Sequence, residues 1–139
     1  MYLLDTNVVS ELRRPRPHPA VLSWIDEVDE VDLYLCAVTI GEIQAGIEVT
    51  REQDTDKALE LDQWLGRVLN TYQILPVDAA AFREWARLMH RQSDTLLQDA
   101  MIAAVAVVHR LTVVTRNVRD FERLGVPTLD PFALRYRGA

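Results

Sequence analysis

Tyr2-Leu3-Leu4-Asp5-Thr6-Asn7-Val8-Val9-Ser10-Glu11-Leu12 opens the chain with a short apolar run that ends on an acid. This pattern predicts a buried strand, Tyr2 to Leu4, that leaves the sheet at Asp5 and turns at once into a helix from Thr6 to about Arg13. Open α/β sheets hold their ligands at the carboxyl ends of their strands. Asp5 would stand at such an end.

The same alternation continues outward. Arg14-Pro15-Arg16-Pro17-His18-Pro19 breaks the first helix as a stiff basic loop, and Pro19 can open the next, from Ala20 to about Val28. A second strand is expected from Leu33 to Val38, apolar throughout as a strand covered on both faces should be. A helix then runs from Thr39 to about Thr50, a polar break covers Arg51 to Asp56, and another helix covers Lys57 to Tyr72. In that helix Leu61, Trp64, Leu65, Val68 and Leu69 face inward. Ile74 to Val77 is a short strand whose Pro76 places it near an edge. Asp78 reads as the N-cap of a helix from Ala79 to about Arg91. Ser93 to Gln98 is a loop or early helical turn, and Asp99 leads a buried helix from Ala100 to Val108. Leu111 to Thr115 is a strand. Asn117 to Leu124 is a short helix or turn stopped by Gly125, and Val126 to Leu129 is the last strand. The expected architecture is a single α/β domain over residues 1–139. It has a central parallel sheet of four to five strands with helices on both faces.

Length and composition agree with one domain that buries its own core: the chain has 139 residues, 49% of them apolar. The single cysteine, Cys36, cannot form an internal disulfide and suits a reducing cytosol, so a cytoplasmic location is expected. No signal peptide is read at the N-terminus, and no apolar run is long enough to span a bilayer. The formal charge of −6 argues against nucleic-acid binding through one large basic surface. It leaves open a site where metal ions neutralise both acids and a phosphate.

Four acids share one context. Asp5 follows the first strand, Glu42 lies just past the second, Asp99 opens the buried helix, and Asp120 follows the strand Leu111 to Thr115 with Asn117 between. Two bare carboxylates about 4 Å apart repel by about 4 kcal/mol at an effective dielectric near 20. They coexist by sharing a proton or binding a cation. Oxygen-only donors select Mg²⁺ or Mn²⁺ rather than zinc. Each acid also has a purely structural reading. Asp5 can cap the first helix. Thr39 and Glu42 fit a capping box. Asp99 suits a helix's first turn. Asp120 can pair with Arg116 or Arg123. The functional reading rests on the set. Thr6, Ser10 and Thr115 offer hydroxyls to such a site or to local backbone. Asn117 can orient a water or phosphate, or make an Asx-type turn. Arg116 and Arg119 can hold a phosphate or stay solvated. His18, His90 and His109 show no ligand spacing. Trp24, Trp64 and Trp85 read as core or subunit interface.

Taken with their order, these motifs resemble those of the PIN-domain ribonucleases, and within them the VapC-type toxins of bacterial toxin–antitoxin pairs, including the FitB-like branch. Leu3 to Leu12 matches the first motif. Ala37-Val38-Thr39-Ile40-Gly41-Glu42-Ile43 with Gly46 matches the second. Asp99-Ala100-Met101-Ile102-Ala103-Ala104 matches the third, although Ala100 and Met101 replace the aromatic or leucine often found there. Thr115-Arg116-Asn117-Val118-Arg119-Asp120-Phe121 with Gly125-Val126 matches the fourth. The resemblance implies an acidic quartet of Asp5, Glu42, Asp99 and Asp120 supported by Thr6, Thr115 and Asn117, with Asp94 a rival for the third position. It implies metal held by Asp5 and Asp99, with Glu42 and Asp120 acting through water, and Mg²⁺ or Mn²⁺ as the cofactor. It further implies RNA as substrate, a homodimer, a small antitoxin and, with it, a dimer of dimers that meets DNA only through the antitoxin. A catalytically weak domain serving mainly as the antitoxin-bound partner in a repressor complex is the alternative. A haloacid-type or phospho-receiver hydrolase is disfavoured. Asp5-Thr6-Asn7 lacks the second aspartate of a DxD pair, and no lysine lies near the last strand.

Overall fold

The computed structural model describes residues 1–134; the basic tail with Arg135 and Arg137 lies outside the described residues. Five strands form one parallel sheet: β1 (Tyr2–Leu4), β2 (Leu33–Cys36), β3 (Gln73–Leu75), β4 (Thr112–Val114) and β5 (Thr128–Leu129). Their order is β3-β2-β1-β4-β5, so the first strand is central and the proline-flanked third strand is an edge, as its composition demands. The chain steps outward from β1 to β2 and β3, then crosses back to lay β4 on the other side of β1. The boundary between β1 and β4 is therefore the switch point of the sheet.

Alternate residues of each strand point into different layers. Leu4, Leu33, Leu35 and Val114 meet α1 (Thr6–Leu12), α2 (Pro19–Glu27), α3 (Ala37–Gln53) and α4 (Thr55–Thr71) through Val8, Val21, Ile47 and Leu65. Leu3, Cys36 and Val113 meet α5 (Ala79–Met89), α6 (Leu97–His109) and α7 (Val118–Arg123) through Ala81, Ile102 and Phe121. Helices thus cover both faces. None among the described residues is long and apolar enough to cross a membrane.

Several expected boundaries shift for local reasons. β2 ends at Cys36, and Ala37 and Val38 already belong to α3. The polar stretch from Arg51 does not break the helix: α3 runs to Gln53, and Asp54 alone makes the break by accepting from the Lys57 N–H at 3.0 Å to cap α4. Arg51 holds this corner through Asp62 at 2.6 Å and Glu48 at 3.1 Å. Leu69 is 45% exposed, so the inward face of α4 stops at Val68. Asp94–Leu96 forms a 3₁₀ turn, and α6 begins at Leu97, which puts Asp99 inside its first turn. α7 closes on Gly125, whose φ of +73° is the left-handed conformation that glycine adopts without strain.

Phe121 is the largest fully buried side chain and pins α7 against the β4 side of the sheet. Phe121→Ala should lower stability by about 3–5 kcal/mol, read from urea unfolding with an unchanged m-value.

Candidate active site

The strand register brings three residues to one level. Leu4 pairs with Leu35 and Val114, so the next residues, Asp5, Cys36 and Thr115, stand side by side where the central strands end. All three are buried: Asp5 is 4% exposed and Thr115 and Cys36 are fully covered. A buried carboxylate needs donors. Asp5 Oδ1 accepts from the Thr6 N–H at 2.8 Å, capping α1. Asp5 Oδ2 accepts from the Thr115 hydroxyl at 2.8 Å and the Asn7 amide at 3.2 Å. Asp5 therefore caps a helix with one oxygen and faces the polar groups of the strand ends with the other.

Thr115 and Asn7 extend this frame. The Thr115 oxygen accepts from the Asn117 N–H at 2.9 Å, and Asn7 Oδ1 accepts from the Arg116 N–H at 3.3 Å. Together they tie the end of β1 to the loop after β4. Asn117 makes no side-chain cap bond for α7 and is exposed, so its amide stays available. Sequence reasoning passes over Asn7. The signal that could have found it is its place two residues after a strand-end acid, on a helix's first turn.

Glu42 enters from the other layer. The capping-box reading fails, because the residue flanking α3 is Cys36 and Thr39 is already inside the helix. Thr39 is fully buried and its hydroxyl oxygen accepts from the Thr6 hydroxyl at 3.1 Å, while Thr6 also lowers the Glu42 carboxyl against the raising effect of burial. Ser10 lines the adjoining groove with Thr6, Arg13, Glu42 and Trp64 but makes no side-chain hydrogen bond to the acids among the described residues.

The carboxylates feel one another. Burial raises the Asp5 carboxyl above its usual range, outweighing the bonds from Thr115 and Thr6. Glu42 is raised by burial and then by the Asp5 charge. Asp99 is pushed up to about 6, first by burial, then by the charges of Asp5, Asp120 and Glu42. Burial also lifts the Cys36 thiol to about 11, with Glu42 and Asp5 contributing, so this cysteine is a neutral filler beneath the acids. Carboxylates from four separate elements thus lie near one end of the sheet, with the charges of Asp5, Asp120 and Glu42 reaching Asp99 and that of Asp5 reaching Glu42. Asp94, the rival for the third position, is exposed and is not among the charges Asp99 feels. Asp120 forms no ion pair with Arg116 or Arg123 among the described residues.

The donor set is all oxygen and mutually repelling, which suits a hard divalent cation. Among the described residues no three Asp, Glu, His or Cys side chains stand close enough to encage one unaided. That fits an ion such as Mg²⁺, which takes one or two carboxylates and keeps several waters.

On either side of the acids the surface opens. One side is the groove of about 160 Å³ between α1, α3 and α4, containing Arg13. The other is a cleft of about 460 Å³ lined by Arg116, Asn117, Val118, Arg119, Asp120 and Asp130.

A doubly wound domain with carboxylates gathered at its switch point has the layout of a metal-assisted hydrolase. Comparison with known proteins narrows this class. The family profile described as "PIN domain" matches residues 2–127, and the chain belongs to that family, in its VapC and FitB branch. It is 36% identical over 138 residues to the VapC ribonuclease Y4jK of Sinorhizobium fredii, covering 95% of this chain and 98% of that protein. It is 32% identical over 139 residues to toxin FitB of Neisseria gonorrhoeae, covering 95% and 99%. The structure of FitAB bound to an IR36 DNA fragment superposes with a TM-score of 0.86 at 30% identity, over 99% of this chain and 100% of that one.

Two outcomes test the site as described. Thr115→Val keeps the shape but removes a donor to Asp5 and an acceptor for the Asn117 N–H. It should cost about 1–3 kcal/mol in denaturant unfolding at neutral pH. Asp99, with its folded pKa raised from 3.8 to about 6, holds a proton more tightly when folded, so its charge weakens the fold as pH rises through that window. Asp99→Asn should therefore stabilise the metal-free protein at pH 7 by about 1–2 kcal/mol, the shift at about 1.4 kcal/mol per pH unit being discounted for partial exposure. Melts with chelator should show the gain vanishing near pH 4.

Proposed function

We propose that this protein is a metal-dependent endoribonuclease, the toxin of a type II toxin–antitoxin pair, that hydrolyses RNA phosphodiester bonds with Mg²⁺ or Mn²⁺. The observation that carries this reading is the convergence of acids at the sheet's switch point: Asp5 lies buried at the end of the central strand, its charge reaches Glu42 and Asp99, and Asp99 also feels Asp120 and Glu42. Carboxylates so crowded are relieved by a cation placed among them. When bound, the ion supplies positive charge at the phosphate and acidifies a water for in-line attack.

The chain's own residues divide the work. Asp5 and Asp99 would hold the ion, Asp5 being kept in one orientation by Thr115 and Asn7. Glu42, beside Thr6 in the adjoining groove, would take the proton of the attacking water or hold a hydrating one. Asp120 and Asn117 stand at the cleft, where the leaving side of the scissile phosphate would lie. The family supports the rest of the assembly. The relatives named as VapC ribonuclease and as toxin FitB, and the DNA-bound FitAB structure, support a small antitoxin as partner. A homodimer, or a dimer of dimers with that antitoxin, would then meet DNA through the antitoxin, in the cytoplasm.

Asp5→Asn in the purified, antitoxin-free chain should keep the fold, by circular dichroism, and lose Mn²⁺ uptake. Metal-supported RNA cleavage should fall on the order of 100-fold or more, since even outer-sphere substitutions cost up to about that much. Full cleavage by the variant would overturn the mechanism.

A further inference from the structure

We propose that Arg116 and Arg119 form a phosphate-binding arm that holds single-stranded RNA in the cleft beside Asp120; this rests on the ribonuclease reading and adds where the substrate lies. The cleft adjoins the acids, because Asn117 and Asp120 line it, the Asn117 N–H is bonded to the Thr115 oxygen whose hydroxyl donates to Asp5, and the Asp120 charge reaches Asp99. Arg116 and Arg119 are exposed within it. Neither is within ion-pair distance of a described carboxylate, although Asp120 and Asp130 line the same cleft. Asp130 Oδ1 caps the next turn by accepting from the Phe132 N–H at 2.9 Å, which orients this carboxylate along the chain. Asp120 acts on Asp99 as a bare charge. The two guanidinium groups thus keep their charge for an outside anion.

Arg116 is also held in place. Its guanidinium carbon lies 4.3 Å from the centre of the Phe132 ring, and its backbone N–H is fixed by Asn7. Phe132 is held in turn by the edge of His18, with ring centres 5.5 Å apart. His18 is fixed at both ends. Its Nδ1 accepts from the Ala20 N–H at 3.2 Å, and its backbone N–H donates at 3.2 Å to Glu11, an acid only 7% exposed. Buried Glu11 therefore anchors the proline loop that braces the platform under Arg116. A guanidinium pre-set on a ring loses less freedom on meeting a phosphate than a free one. Cleavage at the acids needs the strand to cross them, and a chain leaving the pocket on the β4 side enters this cleft.

The test uses fluorescence anisotropy of a labelled oligouridylate on the full chain, in Ca²⁺ rather than Mn²⁺, across a KCl series. Arg116→Ala/Arg119→Ala should weaken binding roughly tenfold or more at low salt and flatten the log–log salt slope by about 1.4, at about 0.7 for each phosphate no longer neutralised. Arg116→Lys/Arg119→Lys should restore the slope but only part of the affinity. In cleavage assays with Mn²⁺ the alanine pair should raise KM and leave kcat within about twofold. Unchanged affinity and slope in the alanine pair would overturn the arm, as would failure of the native chain to bind oligouridylate at low salt. Loss of polyglutamate binding with RNA binding intact would also overturn it and give the cleft to an acidic peptide. If the native chain binds RNA with this slope yet cleaves none with Mn²⁺, the arm stands and the ribonuclease reading falls.

Discussion

Everything at the working end of this molecule depends on holding one carboxyl group where water hardly reaches. Asp5 ends the central strand, and a central strand has neighbours on both sides and helices on both faces. Burial penalises its charge, and three donors from Thr6, Asn7 and Thr115 only partly offset the penalty. The remainder is an unmet demand for positive charge. Short side chains make this possible. A serine or threonine hydroxyl and an asparagine amide reach one oxygen each and bring no charge, so they orient the acid without neutralising it.

The fold supplies the other acids through its layering. α3 belongs to the layer over Leu4 and Leu35, and α6 to the layer over Leu3 and Cys36. Glu42 and Asp99 therefore approach Asp5 from opposite faces, and Asp120 arrives from beyond β4. Each acid sits at the start of a helix or within its first turns. A cation placed among them would offset a repulsion that no single helix could have accumulated.

Much of this is legible in the residues. The strand-end position of Asp5 follows from three apolar residues meeting an acid, and the parallel sheet follows from the alternation of apolar runs with amphipathic ones. The edge position of β3 follows from Pro76. What cannot be read are contacts between short polar groups distant in the chain. The position of Asn7 after a strand-end acid hints at a polar role but not at its bond to the loop beyond β4, and Thr39 looks like a helix cap because Glu42 follows it by three. The capping-box pattern misleads for a physical reason. α3 begins two residues earlier than its threonine, because the sheet ends at Cys36 and the following apolar residues can turn into helix without a polar cap. Leu69 misleads in the opposite sense: it continues the apolar spacing of α4 past the point where the neighbouring layer ends.

An acidic protein that acts on a polyanion faces a contradiction in its charges, and the arrangement here resolves it by separation over short distances. Arginines placed among the carboxylates would pair with them and cancel both. Arginines placed far away would fall outside the reach of a screened interaction, about 8 Å at physiological salt. Arg116 stands next to the residue that donates to Asp5, yet its guanidinium lies over Phe132 and outside ion-pair range of the described carboxylates. The aromatic face holds the cation weakly, at about 0.5–1 kcal/mol where solvent remains, which is enough to orient it and too little to compete with a phosphate. Buried Glu11, far from the other acids in role, makes this possible by holding the proline loop and His18 against that ring. Arg116 is thus held off the acids by an aromatic ring that claims its guanidinium without neutralising it.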